Sequence, residues 1–267
     1  MKTLIVIPAR YGSTRLPGKP LAMIAGRTML SRVIHVAQAA GHAAGADVVV
    51  ATDDERIKTH AEEQGTAAVM TDAALPSGTD RARAALHALN SEADFIVNLQ
   101  GDAPFTPPSH ILALIRAGET TDADVATIVT PLSWAALDAL REAKTTTPFS
   151  GTTCIRAEDG RALWFSKTIL PAIRKEDRLR AEADTSPVLQ HVGLYGYRRA
   201  ALDRFSALPP SLYEQLEGLE QLRFLENGMS IHAEVVDPPT IQSAGVDSAE
   251  DLARAEALIA KHGDPHG

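Results

Sequence analysis

Leu4-Ile5-Val6-Ile7-Pro8-Ala9-Arg10-Tyr11-Gly12-Ser13-Thr14-Arg15-Leu16-Pro17-Gly18-Lys19-Pro20 runs from four consecutive apolar residues straight into a basic loop rich in glycine and proline. A short apolar run with no polar alternation, closed by proline, reads as a strand covered on both faces, as in parallel sheets. The loop is cationic in a region otherwise starved of acid. Residues 1–46 hold six cations (Lys2, Arg10, Arg15, Lys19, Arg27 and Arg32) and no Asp or Glu, in a chain of net charge −8. With 34 acidic residues among 267, about six are expected in a stretch of that length. Something anionic is the natural occupant of the turn.

Outward from this strand the pattern repeats. Residues 47–51, 67–70, 94–99 and 124–129 read as strands, and 28–40, 54–64, 79–90 and 109–117 as helices, the first carrying Met29, Val33, Val36 and Ala40 on one stripe. Strands alternating with helices imply right-handed crossovers: an α/β fold with a mostly parallel, Rossmann-like sheet flanked by helices. Ligands of such sheets bind beyond the carboxyl ends of the strands. The 10–19 loop, Thr52-Asp53-Asp54 and Gln100-Gly101-Asp102 all fall there.

The second half is less regular and mixed. Strands are expected at 152–156, 162–166, 192–197 and 231–236, and long helices at 213–227 and 249–261, the latter capped by Asp247 or Ser248. The charge-rich stretch 174–184 reads as an exposed connection.

Composition excludes several classes. A 45% hydrophobic share suffices for a core, while 4% aromatics and net negative charge leave neither a basic surface nor base-stacking strands, so no nucleic-acid partner is expected. The apolar start is too short to span a bilayer or serve as a signal peptide, so no membrane partner and a cytoplasmic location are expected. Cys154 is the single cysteine, permits no internal disulfide and reads as a buried structural thiol.

Phosphate recognition needs backbone N–H groups freed by glycine-permitted turns together with cations that do not titrate. Gly12, Gly18, Arg10, Arg15 and Lys19 supply both. A P-loop is excluded: five residues lie between Gly12 and Gly18 and Lys19 precedes Pro20, so the Gly-x4-Gly-Lys-Ser/Thr spacing is missing. A solvated basic turn is the bland alternative.

The segment Pro8 through Leu21 resembles the nucleotide-binding signature of the CMP-Kdo synthetases, the 3-deoxy-manno-octulosonate (Kdo) cytidylyltransferases. The likeness continues, in the family's order, at Val50-Ala51-Thr52-Asp53, Ser77-Gly78-Thr79-Asp80-Arg81, Val97-Asn98-Leu99-Gln100-Gly101-Asp102, His191-Val192-Gly193-Leu194-Tyr195-Gly196-Tyr197-Arg198, Leu219-Glu220-Gln221-Leu222-Arg223 and Gly245-Val246-Asp247. CMP-sialate synthetases, related in fold, fit the first loop less well. The resemblance implies a sheet of the nucleotide-diphospho-sugar transferase type, with residues 1–262 as one nucleotidyltransferase domain; the sequence beyond, 263–267, reads as a frayed tail. It further implies Mg²⁺-dependent transfer of CMP from CTP to the anomeric hydroxyl of a keto-sugar acid, pyrophosphate release, a role in envelope polysaccharide synthesis, and a homodimer.

Residue by residue, the resemblance places Arg10, Arg15 and Lys19 on the CTP phosphates, with Ser77, Gly78, Thr79 and Gln100 completing the nucleotide site. Asp102 and Asp247 become the Mg²⁺ ligands and, with Lys19, the catalytic set; on sequence alone the alternatives are a turn residue for Asp102 and a helix cap for Asp247. Ser77 has capping of the following helix as its alternative. For the sugar acid the likeness points to Gln100, His191, Tyr195, Glu220 and Gln221, against structural or solvated readings for His191 and Glu220. No general base is assigned, because a bound cation can lower the pKa of the attacking hydroxyl. The chain departs from the family pattern around the sugar, at Ala103, Trp164, Lys167, Gln190 and Thr152-Thr153-Cys154-Ile155. A lysine does not grip a carboxylate as an arginine fork does, which keeps a modified Kdo in view as substrate. Competing readings are another nucleotidyl or glycosyl transferase of similar fold, and a non-catalytic nucleotide-binding regulatory protein.

Overall fold

The computed structural model describes residues 1–12, 15–241 and 245–265. Ser13 and Thr14 of the basic loop, and the last two residues of the expected tail, lie outside them. Strand β1 (Thr3–Ala9) leads through a 3-10 turn at Lys19–Leu21 into the small hairpin β2 (Met23–Ile24) and β3 (Arg27–Thr28), then helix α1 (Met29–Ala44). There follow β4 (Asp47–Thr52), α2 (Glu55–Glu63), β5 (Ala67–Met70), α3 (Gly78–Ala88), β6 (Phe95–Asn98), α4 (Pro108–Thr120), β7 (Val125–Ser133) and α5 (Trp134–Thr146). The remainder is β8 (Thr153–Arg156), β9 (Ala162–Ser166), α6 (Glu176–Glu182), β10 (Thr185–Arg198), α7 (Arg199–Ala207), α8 (Leu212–Glu217), α9 (Gln221–Glu226), β11 (Ile231–Val235) and α10 (Ala249–His262).

The main path of the sheet is β11-β7-β10-β6-β1-β4-β5, with the β8–β9 hairpin hung on β10. Along that path only β10 runs against its neighbours, pairing antiparallel with both β6 and β7. The mostly parallel α/β sheet expected from the alternation is therefore present. Its unbroken apolar first strand has a direct cause. Leu4 and Val6 enter one core with Ala82, Leu86, Phe205 and Leu222, whereas Ile5 and Ile7 enter the other with Val33, Ile34, Ile111 and Leu114. Helices cover both faces, so neither side of β1 tolerates a polar residue.

Chain order decides where a ligand can sit. β4 and β5 lie on one side of β1, and the next strand, β6, returns to its other side. That reversal opens a crevice between the carboxyl ends of β1 and β6. Close contact there depends on Gly101: a Cβ at that position would stand 2.6 Å from the Pro8 carbonyl oxygen, so only glycine lets the exit of β6 lie against the exit of β1.

Two expectations need correction. The helix expected over 213–227 is two short ones, because Gly218 adopts a left-handed φ of 64° and ends α8. The stretch 174–184 is no loose connection. It forms α6, where Glu176 bonds Arg141 through both carboxylate oxygens (2.8 and 2.7 Å) and Arg180 at 2.7 Å, and those two arginines hold its pKa down to about 2. Near the end of the chain, the two oxygens of Asp264 accept from Arg32 at 2.9 and 3.0 Å. Helices α5 and α7 lie beyond the sequence expectation.

Candidate active site

A cleft of about 240 Å³ opens at the β1–β6 switch point, lined among others by Arg10, Arg15, Lys19, Ser77, Gly78, Arg81, Gln100, Asp102 and Asp247. Four cations face two carboxylates, so the walls favour a polyanion. At its centre the Lys19 ammonium donates to Asp102 Oδ2 at 2.7 Å and Asp247 Oδ1 at 2.9 Å, and Arg15 reaches Asp247 Oδ2 at 3.0 Å. Two carboxylates 145 positions apart in sequence thus share one cation. Like charges about 5 Å apart repel by about 3 kcal/mol at an effective dielectric near 20, so this pair needs a cation between its members. Burial works against the charge on Lys19, but Asp102 and then Asp247 outweigh it and raise its pKa above the ordinary lysine value.

Backbone contacts hold the carboxylates in place. The Val246 N–H donates to the Asp102 carbonyl at 2.9 Å, and Gly245 packs so closely that a Cβ would lie 3.3 Å from Asp102 Oδ1. Asp251 accepts the Asp247 N–H at 3.2 Å while completing the Ser248 capping box of α10. The basic loop is pinned at its root. Asp53 accepts the Tyr11 N–H at 3.2 Å, Arg56 lies 3.5 Å above the Tyr11 ring, and the Gly18 N–H returns to the Tyr11 carbonyl at 3.2 Å.

Ser77 caps α3, accepting the Asp80 N–H and donating to the Asp80 carboxylate, so the capping alternative holds, although the residue also lines the cleft. Gly78 lies against the Gln100 amide, where a Cβ would meet Oε1 at 3.4 Å. Thr79 turns away from the cleft: it is buried and donates to Glu220 Oε2 at 2.8 Å. Arg81, to which the sequence alone assigns no role, is almost wholly buried and reaches the cleft wall, held by Thr71 at 2.5 Å and Asp53 at 3.4 Å. An arginine following a capping serine on a helix was the signal available.

The expected sugar-site residues form a second group, linked to the cleft by the start of α3. His191 and Tyr195 sit together on β10 with ring centroids 5.3 Å apart, and His191 Nε2 lies 3.0 Å from Thr127 Oγ1. Burial, then the charge of Lys167, pushes the His191 pKa down to about 3, so the ring is neutral near pH 7. Burial likewise raises the Tyr195 and Glu220 pKa values. Gln221 is 3% exposed, with its Nε2 unpaired, as are both amide atoms of Asn98 on the neighbouring strand. Gln100 stays with the cleft. Lys167 has its backbone N–H on Glu217 at 2.7 Å and is partly buried, which lowers its pKa.

A switch-point crevice carrying a basic turn and a convergent carboxylate pair is the equipment of a nucleotidyltransferase. The chain belongs to the cytidylyltransferase family, whose model, described as Cytidylyltransferase, matches residues 4–231, and within it to the 3-deoxy-manno-octulosonate cytidylyltransferases. It is 44% identical to the 3-deoxy-manno-octulosonate cytidylyltransferase of Maricaulis maris (strain MCS10), over 99% of each chain. Identity with the protein of that name from Chelativorans sp. (strain BNC1) is 43%, over 97% of each. Among solved structures, CMP:2-keto-3-deoxy-manno-octonic acid synthetase complexed with CTP matches with a TM-score of 0.82 and 37% identity, covering 98% of this chain and 99% of the other. A cytidylyltransferase of Leptospira borgpetersenii, at 16% identity and a TM-score of 0.59, shares the fold.

Proposed function

We propose that the protein transfers CMP from CTP to the anomeric hydroxyl of Kdo. The observation that carries this is the Lys19 ammonium bonded to Asp102 and Asp247 within the β1–β6 cleft. The hydroxyl oxygen attacks the α-phosphorus, the bond to the β-phosphate bridging oxygen breaks, and pyrophosphate leaves with that electron pair as the hydroxyl proton passes to solvent. Triphosphate and sugar carboxylate repel one another, so this chain's contribution is charge and alignment rather than a protein nucleophile. Arg10, Arg15, Lys19 and Arg81 provide the positive wall. His191, Tyr195, Glu220 and Gln221 are proposed for the sugar acid, with the neutral His191 ring as a hydrogen-bonding group rather than a charge.

The donor set fits Mg²⁺. Two carboxylates already converge on a cation, and among the described residues no cluster of three or more His, Cys, Asp or Glu forms a complete protein cage. Magnesium is typically held by one or two carboxylates with water and phosphate oxygens. Asp102 and Asp247 would hold it, and bound there it would neutralise phosphate charge. The product is a sugar donor for envelope polysaccharide, and the location is the cytoplasm; no helix among the described residues is long and apolar enough to cross a membrane. A homodimer is supported by exposed Phe149, Tyr213 and Leu216 around one groove.

Pyrophosphate release is the test, with CTP, UTP, GTP and ATP each offered Kdo, an amino-substituted Kdo and a sialic acid. Turnover is expected with CTP and a Kdo-type acid. No release from CTP with any of these acids rejects the proposal, and preference for the amino sugar reassigns the substrate.

A further inference from the structure

Arg32, on α1, carries a full charge yet is 0% exposed. Its Nε and Nη2 donate to the Ile24 carbonyl at 3.0 and 2.7 Å, and its Nη1 donates to both oxygens of Asp264 at 2.9 and 3.0 Å. A buried guanidinium is tolerated only when paired. The partner here comes from the turn just beyond α10, the helix whose opposite end follows Asp247.

Between those ends α10 packs through Leu252, Ala255, Leu258 and Ile259 into a small core with Ile24, Met29, Phe105, Ile241 and Val246. Each member of the Lys19–Asp102–Asp247 cluster has a near neighbour in sequence within that core. Ile24 follows the Lys19 turn, Phe105 follows Asp102, and Val246 precedes Asp247. Glu256 on α10 also accepts the Ala25 N–H at 3.3 Å, in the turn between β2 and β3. The Arg32–Asp264 pair therefore closes a ring of contacts running from α1 through α10 to Asp247, across Lys19 and back along the hairpin to the Ile24 carbonyl.

We infer that Asp264 is a positioning residue for the Lys19–Asp102–Asp247 cluster: paired with Arg32, it fixes the far end of the helix whose near end sets Asp247. A helix of this length spans about 20 Å at about 1.5 Å per residue, so freeing one end lets it pivot on the small core and shifts the other. Asp264 does not line the cleft. The inference rests on the proposed role of Asp247 in the CTP site.

Two full-length variants test it, Asp264→Asn, which keeps the shape and removes the charge, and Asp264→Glu, which keeps the charge. Amide hydrogen exchange is followed over residues 19–28 and 246–252, with β1 and β6 as internal references, alongside the Mg²⁺ dependence of pyrophosphate release. In Asp264→Asn, exchange is expected to rise about fivefold in both windows and not in β1 or β6. The Mg²⁺ concentration for half-maximal rate should rise about tenfold while the sugar-acid KM stays within about twofold, and Asp264→Glu should recover most of the loss. Unchanged exchange over 246–252 overturns the inference. So does acceleration shared equally by β1 and β6, which makes the pair a general stability contact. Should the wild type show no turnover at all, the proposed function fails, and the exchange pattern still decides the positioning role.

Discussion

Lys19 carries opposite obligations: it balances two carboxylates here, and it is proposed to face phosphates when CTP binds. Removing one carboxylate separates those obligations. Asp102→Asn should leave the fold intact, since the side chain is partly exposed and its replacement is isosteric, yet lower Mg²⁺-dependent turnover about 10²–10³-fold. Circular dichroism with initial-rate kinetics checks this, and wild-type turnover would remove Asp102 from the catalytic set. His191 predicts a pH dependence of stability. Its folded pKa of about 3 lies below the ordinary 6.5, so between those values the unfolded chain binds a proton that the folded chain refuses. Stability should therefore rise with pH through this window and be lost on acidification from 6.5 towards 3. Urea unfolding of His191→Gln at pH 6.5 and 5.0 should show a slope shallower than wild type by up to about 1.4 kcal/mol per pH unit. Equal slopes would mean that the ring is not held neutral.

Among elements, the basic loop is closed where Gly18 returns to Tyr11. Gly18 has φ +68°, and a Cβ there would stand 3.2 Å from the Tyr11 hydroxyl, whose ring carries Arg56 on top. Gly18→Ala should cost about 1–2 kcal/mol of backbone strain, a loss of several degrees in Tm by calorimetry. Because the next residue is Lys19, the KM for CTP should rise several-fold more than the KM for the sugar acid; equal changes would detach loop shape from nucleotide binding. Elements of the first half were legible because period and boundary signals agreed: Asp54 caps α2, Ser77 caps α3 and the apolar run became β1. The 213–227 region failed for a local reason. Its helical periodicity crosses Gly218, whose left-handed turn redirects the chain and starts α9 at Gln221.

At the scale of the whole molecule, Cys154 offers a reporter. It is 2% exposed, on a strand hung from β10, and burial pushes its pKa up to about 12. Thiol labelling at pH 8 should run at least about a thousandfold slower in the native protein than in urea, and its rate should follow opening of the β8–β10 region. Rapid native labelling would mean that this part of the sheet opens easily. The same scale explains α10. Its amphipathic sequence announces a helix, but only the assembled molecule shows that its two ends fall on Arg32 and beside Lys19.

The strand–helix alternation of the first half, the basic turn and the family were fixed by the chain itself, because periodicity, caps and contiguous motifs are local properties that neighbouring residues carry together. Which distant groups meet was decided by tertiary structure alone. Asp102 and Asp247 share one ammonium because β6 returns beside β1 and α10 docks on strand β2 and on Met29 at the start of α1, and Asp264 finds Arg32 for the same reason. Thr79, which lies in sequence between the cleft residues Gly78 and Arg81, faces Glu220 instead, since successive side chains of a helix point about 100° apart.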